Sequence, residues 1–344
     1  MKFKLYIVLL SFAVATAGCH LIDDDLSVCG ADYLINYAMR LETEVQLSID
    51  EKLSSDVDKP IAAAIKTWSD PFYSGQAHDL DMSFFSLDGT DELLHHQSDI
   101  IDANQKSYTL YIPRKDYRHI AVVNILNNDN MTLMGGEYAS SMQITQRDAD
   151  TLNSHSTAIY TARLPMYMAD NDSDLTFNVR LYMASAGVAV VLTHDGSTVP
   201  TVKDILLAGT ATAFHVNDSS YTFSHPSLIR ADKLMNRCYA VMAMPSKEKV
   251  ESGESKVESR ERRVKSREQE EPALWSIRLY TTMPDGKITE NILTFPYALK
   301  AGALEIIKVQ LNDDGSVDVV GNNEVGVTVT LDWKEGNTHD VETG

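Results

Sequence analysis

The sequence predicts an all-β protein with two antiparallel β-sandwich domains in tandem. Apolar and polar residues alternate in many short stretches, as at Trp275, Ile277 and Leu279. This period of two is typical of strands with one buried and one solvated face. Asp-Gly pairs at 88–89, 195–196, 285–286 and 314–315 are typical of tight hairpin turns. The chain has no regular alternation of strand and helix patterns, which argues against a parallel α/β fold.

The chain begins with the pattern of a secretory signal. Lys2 and Lys4 are basic, the run 5–15 is almost entirely apolar, and the small residues 16–18 follow. The apolar run is well under the roughly 20 residues that a membrane-spanning helix needs. Residues 1–18 are therefore predicted to be a signal peptide.

Cys19 directly follows this signal. The ending resembles the lipobox of bacterial lipoproteins, in which the cysteine becomes the first mature residue and carries acyl chains such as palmitate. Thr16 stands where the usual pattern has leucine, and the alternative is an ordinary cleavage site beside a chance cysteine. Because each buried methylene adds about 0.8 kcal/mol of membrane affinity, two or three chains would hold a soluble domain on a membrane. We expect lipidation at Cys19.

Residues 19–30 form an acidic leader that contains Asp23, Asp24 and Asp25. This run resembles the signal that exports lipoproteins of Bacteroidia to the outer face of the outer membrane, although three acids are also common in any flexible leader. We expect a lipid-anchored protein that faces the cell exterior.

The composition is acidic, with 49 Asp and Glu residues against 30 Lys and Arg and a net charge of -19. Such a surface repels phosphates and anionic head groups. Nucleic acid is therefore excluded as a partner, and attachment to the outer membrane must come from the lipid.

Residues 31–170 are predicted to form the first sandwich. Its alternating patterns run from Tyr33 to Ile49, from Tyr108 to Ile112 and from Ile120 to Val122. The best helix candidate is 58–68, where Asp58 can cap the helix and Pro60 lies in its first turn.

Residues 171–335 are predicted to form the second sandwich, after a boundary in the polar run 169–174, and 336–344 a polar tail. The patterns run from Leu175 to Leu181, from Trp275 to Leu279 and from Val325 to Trp333. The low-complexity segment 246–272 repeats the phrase Lys-Val-Glu-Ser and has no aromatic residue. We expect a disordered hairpin-loop insertion, with a charged ligand-binding arm as the alternative.

The cysteines indicate structure rather than metal binding. With Cys19 lipidated, Cys29 and Cys238 are left to form a disulfide or to lie as two separately buried thiols. A CxxC pattern or four-ligand cluster is absent from the sequence, so no metal or cofactor is predicted.

Few residues point to catalysis. His95 and His96 are predicted to lie in a solvated loop and His194-Asp195 at a hairpin tip. Residues 312–319 resemble part of a calcium loop but lack the closing glutamate, so a turn is predicted. Trp68, Trp275 and Trp333 are dispersed, and the last two fit core positions. We expect no enzymatic activity.

These features together resemble the fimbrillin-associated anchor lipoproteins of Bacteroidia. The resemblance is carried by Cys19, by the stretch IDDDLSVCG at 22–30 and by VGVTVTLDW at 325–333. It implies two transthyretin-like sandwiches that attach a fimbria to the outer membrane and limit its length, with fimbrial shaft or accessory subunits as partners. We expect strand pairing at exposed sheet edges. The alternative is a surface glycan- or adhesin-type binding lipoprotein.

Overall fold

A computed structural model confirms the all-β class. It describes residues 33–42, 53, 58–73, 77–100, 107–168, 175–194, 200–224, 227–248, 274–320 and 326–334. The signal peptide, the leader with Cys19 and Cys29, the predicted boundary at 169–174, the insertion from residue 249 onward and the tail lie outside these ranges.

The described part of the chain forms 22 strands, the helix α1 (Lys59–Tyr73) and a short 3-10 helix (Ala139–Ser141). Helix α1 confirms the predicted helix and extends it by five residues past Trp68. The strands are β1 (Tyr33–Glu42), β2 (Asp79–Ser86), β3 (Leu93–Ile100), β4 (Ser107–Ile112), β5 (Tyr117–Val123), β6 (Met131–Met134), β7 (Gln143–Gln146), β8 (Thr151–Asn153), β9 (Tyr160–Met166), β10 (Leu175–Met183), β11 (Ala186–Thr193), β12 (Thr201–Ala208), β13 (Ala213–His215), β14 (Ser220–Thr222), β15 (Leu228–Arg230), β16 (Asp232–Met235), β17 (Cys238–Ala243), β18 (Trp275–Thr282), β19 (Lys287–Phe295), β20 (Leu304–Leu311), β21 (Val317–Val319) and β22 (Gly326–Lys334).

These strands form four sheets. The seven-stranded sheet has the order β3-β2-β5-β9-β10-β1-β4, and the five-stranded sheet the order β16-β17-β11-β20-β21. The six-stranded sheet has the order β22-β19-β18-β12-β15-β8, and the small four-stranded sheet the order β14-β13-β7-β6. Most neighbours are antiparallel, as predicted, but β1 with β10, β11 with β20 and β8 with β15 are parallel.

The five- and six-stranded sheets pack face to face as a sandwich. Alternate residues of β11 and β20 from one sheet meet alternate residues of β12 and β18 from the other in one apolar core. On β18, Trp275, Ile277 and Leu279 are buried while the residues between them are half-exposed, which confirms the predicted alternation. The Trp275 ring stacks on Phe295 with 3.9 Å between ring centroids.

Helix α1 packs against both the seven-stranded sheet and the outer face of the five-stranded sheet, within one continuous core. Ile65 is fully buried there. The Tyr73 hydroxyl donates a hydrogen bond of 2.7 Å to the carbonyl of Ala303, ahead of β20. Lys308 Nζ on β20 lies 2.8 Å from Asp58 Oδ2, so polar contacts fix the helix as well.

The small four-stranded sheet covers the opposite face of β2 and β5. Phe85, Ile120 and Val122 meet Ile144 and Phe214 in a separate apolar core. Two strands of this sheet come from before residue 170 and two from after it.

Strand pairing crosses the predicted boundary in other places as well. β10 was expected to open the second sandwich, but it pairs with β1 in register from Ile35↔Leu175 to Glu42↔Tyr182. β8 in turn pairs with β15 of the six-stranded sheet. The division into 31–170 and 171–335 as independent folding units stays a prediction.

Two predicted hairpins are wrong. β11 and β12 lie in different sheets, so the segment with Asp195-Gly196 connects sheets and His194 is not at a hairpin tip. The same holds for β17 and β18, so the low-complexity segment between them is not a hairpin loop. In both cases the first strand already has partners from distant parts of the chain, as β11 has β17 and β20.

Three predicted Asp-Gly turns are confirmed, between β2 and β3, β18 and β19, and β20 and β21, while 195–196 lies outside the described ranges. Gly315 shows why glycine is required. Its φ is +82°, and a Cβ would lie 2.8 Å from Met283 Sδ. Its carbonyl accepts a 2.9 Å hydrogen bond from Asn291 Nδ2 and so joins this turn to β19.

Replacing Ile65 by alanine is expected to lower the free energy of unfolding by about 2 to 5 kcal/mol, because the change leaves a cavity where α1 meets the core. Ile100→Ala is the matched control, since Ile100 is 87% exposed and should cost less than about 0.5 kcal/mol. Urea unfolding of both variants measures the difference. Similar losses in the two variants would contradict the role assigned to α1.

Candidate functional site

Of the three cysteines named from the sequence, only Cys238 lies in the described ranges. It has a free thiol at the start of β17, fully buried under α1 and its neighbours. Burial raises the pKa of this thiol to about 12. Cys238 is therefore a core residue and not a reactive site, and its pairing with Cys29 stays a prediction.

We expect Cys238 to resist alkylation in the folded protein, because the thiolate is the reactive form and burial disfavours it. Treatment with iodoacetamide before and after denaturation tests this. Non-reducing peptide mapping of the denatured protein then separates a Cys29–Cys238 disulfide from two free thiols. Rapid labelling of Cys238 in the native state would contradict its burial.

His95 and His96 lie on β3, and the predicted loop is wrong. The strand forms because residues 93–100 pair with β2, a partner that local sequence does not reveal. The two side chains do point to opposite faces. The His96 Nε2 lies 2.8 Å from Asp81 Oδ2 at the surface, while the His95 ring packs against Phe84 at 5.7 Å.

The other polar candidates follow the ends of strands, residues 312–316 after β20 and His194 after β11. Residues 312–316 form the predicted turn, and 317–319 are strand β21; in the turn, Asp314 Oδ1 accepts hydrogen bonds from the Ser316 amide and hydroxyl at 2.9 and 2.6 Å. These bonds lower the pKa of Asp314. His194 Nδ1 lies 2.7 Å from the carbonyl of Leu311. Within the described ranges, no group of three or more His, Cys, Asp or Glu side chains is placed to hold a metal ion.

Trp68 and Trp275 do not form a binding platform. Trp275 is buried, and Trp68 is half-buried on α1 with its ring 5.0 Å from that of Phe72. Trp333 lies on β22, at the edge of the six-stranded sheet.

Two buried histidines were missed by the sequence analysis. His119 and His155 are enclosed, and burial lowers the pKa of each to about 4. His119 stacks on Phe84, and its Nδ1 lies 3.1 Å from the carbonyl of Ser83. Neither ring nitrogen of His155 has a hydrogen-bond partner in the part of the chain that is described. The apolar run that follows His119, IAVV at 120–123, was the sequence feature that could have indicated its burial. Both belong to the core.

These two histidines should make the protein sensitive to acid. In the unfolded chain they titrate near 6.5, so between this pH and about 4 the unfolded state binds more protons and the free energy of unfolding falls as the pH is lowered. The full effect is about 3 kcal/mol for each histidine. His155→Leu should remove the contribution of His155 to this pH dependence. Urea unfolding between pH 6.5 and about 4 measures the free energy of unfolding of both proteins. An unchanged pH dependence would contradict the assignment.

The sheet edges are the remaining candidates for recognition. The longest edge strands are β3, β4 and β22, whereas β6, β8, β14, β16 and β21 have only three or four residues. Short edges, and the bulge between Lys233 and Met235 on β16, disfavour pairing with another chain. A long edge instead presents a row of backbone donors and acceptors to a partner strand.

β3 and β22 differ in what they offer to a strand from a partner protein. At β3, Leu93 N donates a 2.9 Å hydrogen bond to Glu137 O, while Leu94 and Ile100 are exposed at 41% and 87%. β22 pairs along β19 from Lys287↔Lys334 to Thr294↔Gly326. The carboxy-terminal strand therefore lies in its own sheet in this structure, and β3 presents exposed apolar side chains beside its edge.

Within the described ranges, no helix is both long enough and apolar enough to cross a membrane.

No protein-family model and no curated protein matches the chain. Among solved structures, the fimbrial anchor protein Mfa2 of Porphyromonas gingivalis is similar at a TM-score of 0.44 and 11% identity, over 87% of this chain and 98% of Mfa2. The C-terminally truncated tip fimbrial protein Mfa3 of the same organism gives a TM-score of 0.42 and 12% identity, over 75% of this chain and 95% of Mfa3. A candidate polysaccharide-binding protein of Bacteroides thetaiotaomicron gives 0.49 and 9%, over 89% of this chain and all of that one.

Proposed function

We propose that this protein is a lipid-anchored surface protein that attaches a fimbria to the outer membrane and works by strand pairing without catalysis. The observation that carries the proposal is the position of Cys19, between a secretory signal and an acidic leader. A lipid at this cysteine fixes the chain at its amino terminus alone. The β-sheet body is then left to bind other subunits.

The charge of the chain supports this arrangement. The full chain has a net charge of -19, so an acidic body would be repelled by anionic head groups and stand off the membrane to which the lipid holds it. The leader from residue 19 to residue 30 would supply the spacer. A body held in this way keeps its long sheet edges available to a fimbrial shaft or accessory subunit.

We also propose that the protein limits the length of the fimbria. A subunit that is tied to the membrane at one end cannot be added within a growing fibre, so its incorporation would end growth at the base. Among the described strands, the edge strand β3, with exposed Leu94 and Ile100, is the one that we expect to pair with a strand of the fimbrial subunit.

Cys19→Ala should release the protein, together with its fibres, into the medium and leave the sheets folded, because the change removes membrane affinity and touches no described core contact. Fractionation and electron microscopy of the mutant strain measure both effects. Cys29→Ala is the matched control and should stay in the membrane fraction. Deletion of the whole gene should also give shed fibres, overlong if growth is no longer limited.

Two outcomes would contradict the anchoring function. The first is membrane retention of the Cys19→Ala protein, which would exclude the lipid as its attachment. The second is normal fibre attachment in a strain that lacks the protein. In that case the surface glycan- or adhesin-type function would take precedence.

A further inference from the structure

A cleft opens on the outer face of the seven-stranded sheet where two of its strands separate. β9 and β10 pair only at Tyr182↔Thr161 and Met183↔Tyr160. Continuing this register would place Arg180 opposite Arg163, but the ladder stops before that position. The cleft has a volume of about 380 Å³, and the small four-stranded sheet forms its other wall.

Two arginines lie next to the point where the ladder ends. Arg163 and Arg180 are both exposed and both line the cleft. Like charges directly opposite each other destabilise an antiparallel pair. On the next strand, Arg40 of β1 is the register partner of Arg180, which places three arginines at neighbouring positions across β9, β10 and β1.

The cleft is basic although the protein is acidic. None of the described residues that line it is an aspartate or glutamate, whereas the chain carries 49 acidic residues. The nearest acidic position on the neighbouring strand is Glu42 of β1, which is the register partner of Tyr182. At the rim, Asp218 Oδ1 accepts hydrogen bonds from the Ser220 amide and hydroxyl at 3.0 and 2.6 Å. Arg163 has no ion-pair partner among the residues that the structure describes.

Aromatic side chains complete the lining. Tyr182 is 59% exposed and lines the cleft. On the facing wall, the Tyr221 ring packs on Phe214 at 4.7 Å, and its hydroxyl donates a 3.1 Å hydrogen bond to the carbonyl of Ala184. One wall is therefore fixed by contacts within the fold, and one ring is open to a ligand.

We propose that this cleft binds a carboxylated sugar, such as a uronic acid or sialic acid residue of a surface glycan. The planar guanidinium of arginine matches a carboxylate with two parallel hydrogen bonds. An exposed tyrosine ring offers a flat apolar surface to the C–H face of a pyranose. A concave site of this volume suits a small ligand rather than an extended chain. The inference does not depend on the fimbrial function, because a fimbria-associated or a free surface protein could carry such a site.

Calorimetry on the full-length protein in detergent tests the proposal. The probes are trigalacturonic acid and sialyllactose, with methyl-esterified trigalacturonate and lactose as uncharged counterparts and a glutamate-rich peptide as an acidic non-sugar. Binding of at least one acidic sugar is expected, without binding of its counterpart. Arg163→Gln and Arg180→Gln should each weaken it at least about tenfold, the effect of one charge-assisted hydrogen bond. Tyr182→Ala should weaken it as well.

The controls are Arg147→Gln and Tyr111→Ala, which change an exposed arginine and a 65% exposed tyrosine outside the cleft and should leave affinity unchanged. Thermal unfolding verifies that every variant folds. The proposal is overturned if neither acidic sugar binds, if an uncharged counterpart binds equally well, or if the arginine variants bind like the wild type. Preferred binding of the peptide would replace it with a peptide-binding site.

Discussion

The burial of the five-stranded sheet on both faces is the constraint on which the rest of the structure depends. Seven of the eight residues of β11 and all six residues of β17 are buried. Strands that are apolar on both sides need cover on both sides. The six-stranded sheet covers one face, and α1 with the seven-stranded sheet covers the other. This requirement joins parts of the chain that the sequence would place in separate domains.

Helix α1 has only 15 residues but lies between two sheets. Its residues Ile65, Phe72 and Tyr73 share a core with both sheets, and Asp58 at its start pairs with Lys308 on β20. Because the strands also cross between the two halves, through β8 and β10, loosening one half should expose apolar surface of the other. Such coupling favours a rigid body, which suits a protein that transmits force or holds a partner.

The proposed tether has a mechanical consequence. The leader ends close to β1, which lies inside the seven-stranded sheet between β10 and β4. β1 pairs over eight positions with β10 and over six with β4. A pull through Cys19 would therefore load these two ladders together along the strand direction, so many backbone hydrogen bonds would share the force. The edge strand β3 lies at the other end of this sheet, whereas the edge strand β4 is the direct neighbour of β1.

The sequence by itself determined the features that depend on local chemistry. The predicted signal and leader rest on contiguous motifs, α1 follows from an alanine-rich run after Asp58 and Pro60, and Asp-Gly pairs predicted three observed turns. Only the tertiary structure decided the strand partners, including β3 at His95 and His96, the burial of His119 and His155, and the cleft between β9 and β10. The physical reason is that alternation shows which face of a strand is apolar but not which apolar face it meets, since backbone hydrogen bonds are the same for every partner. The choice is made by packing between residues far apart in the chain.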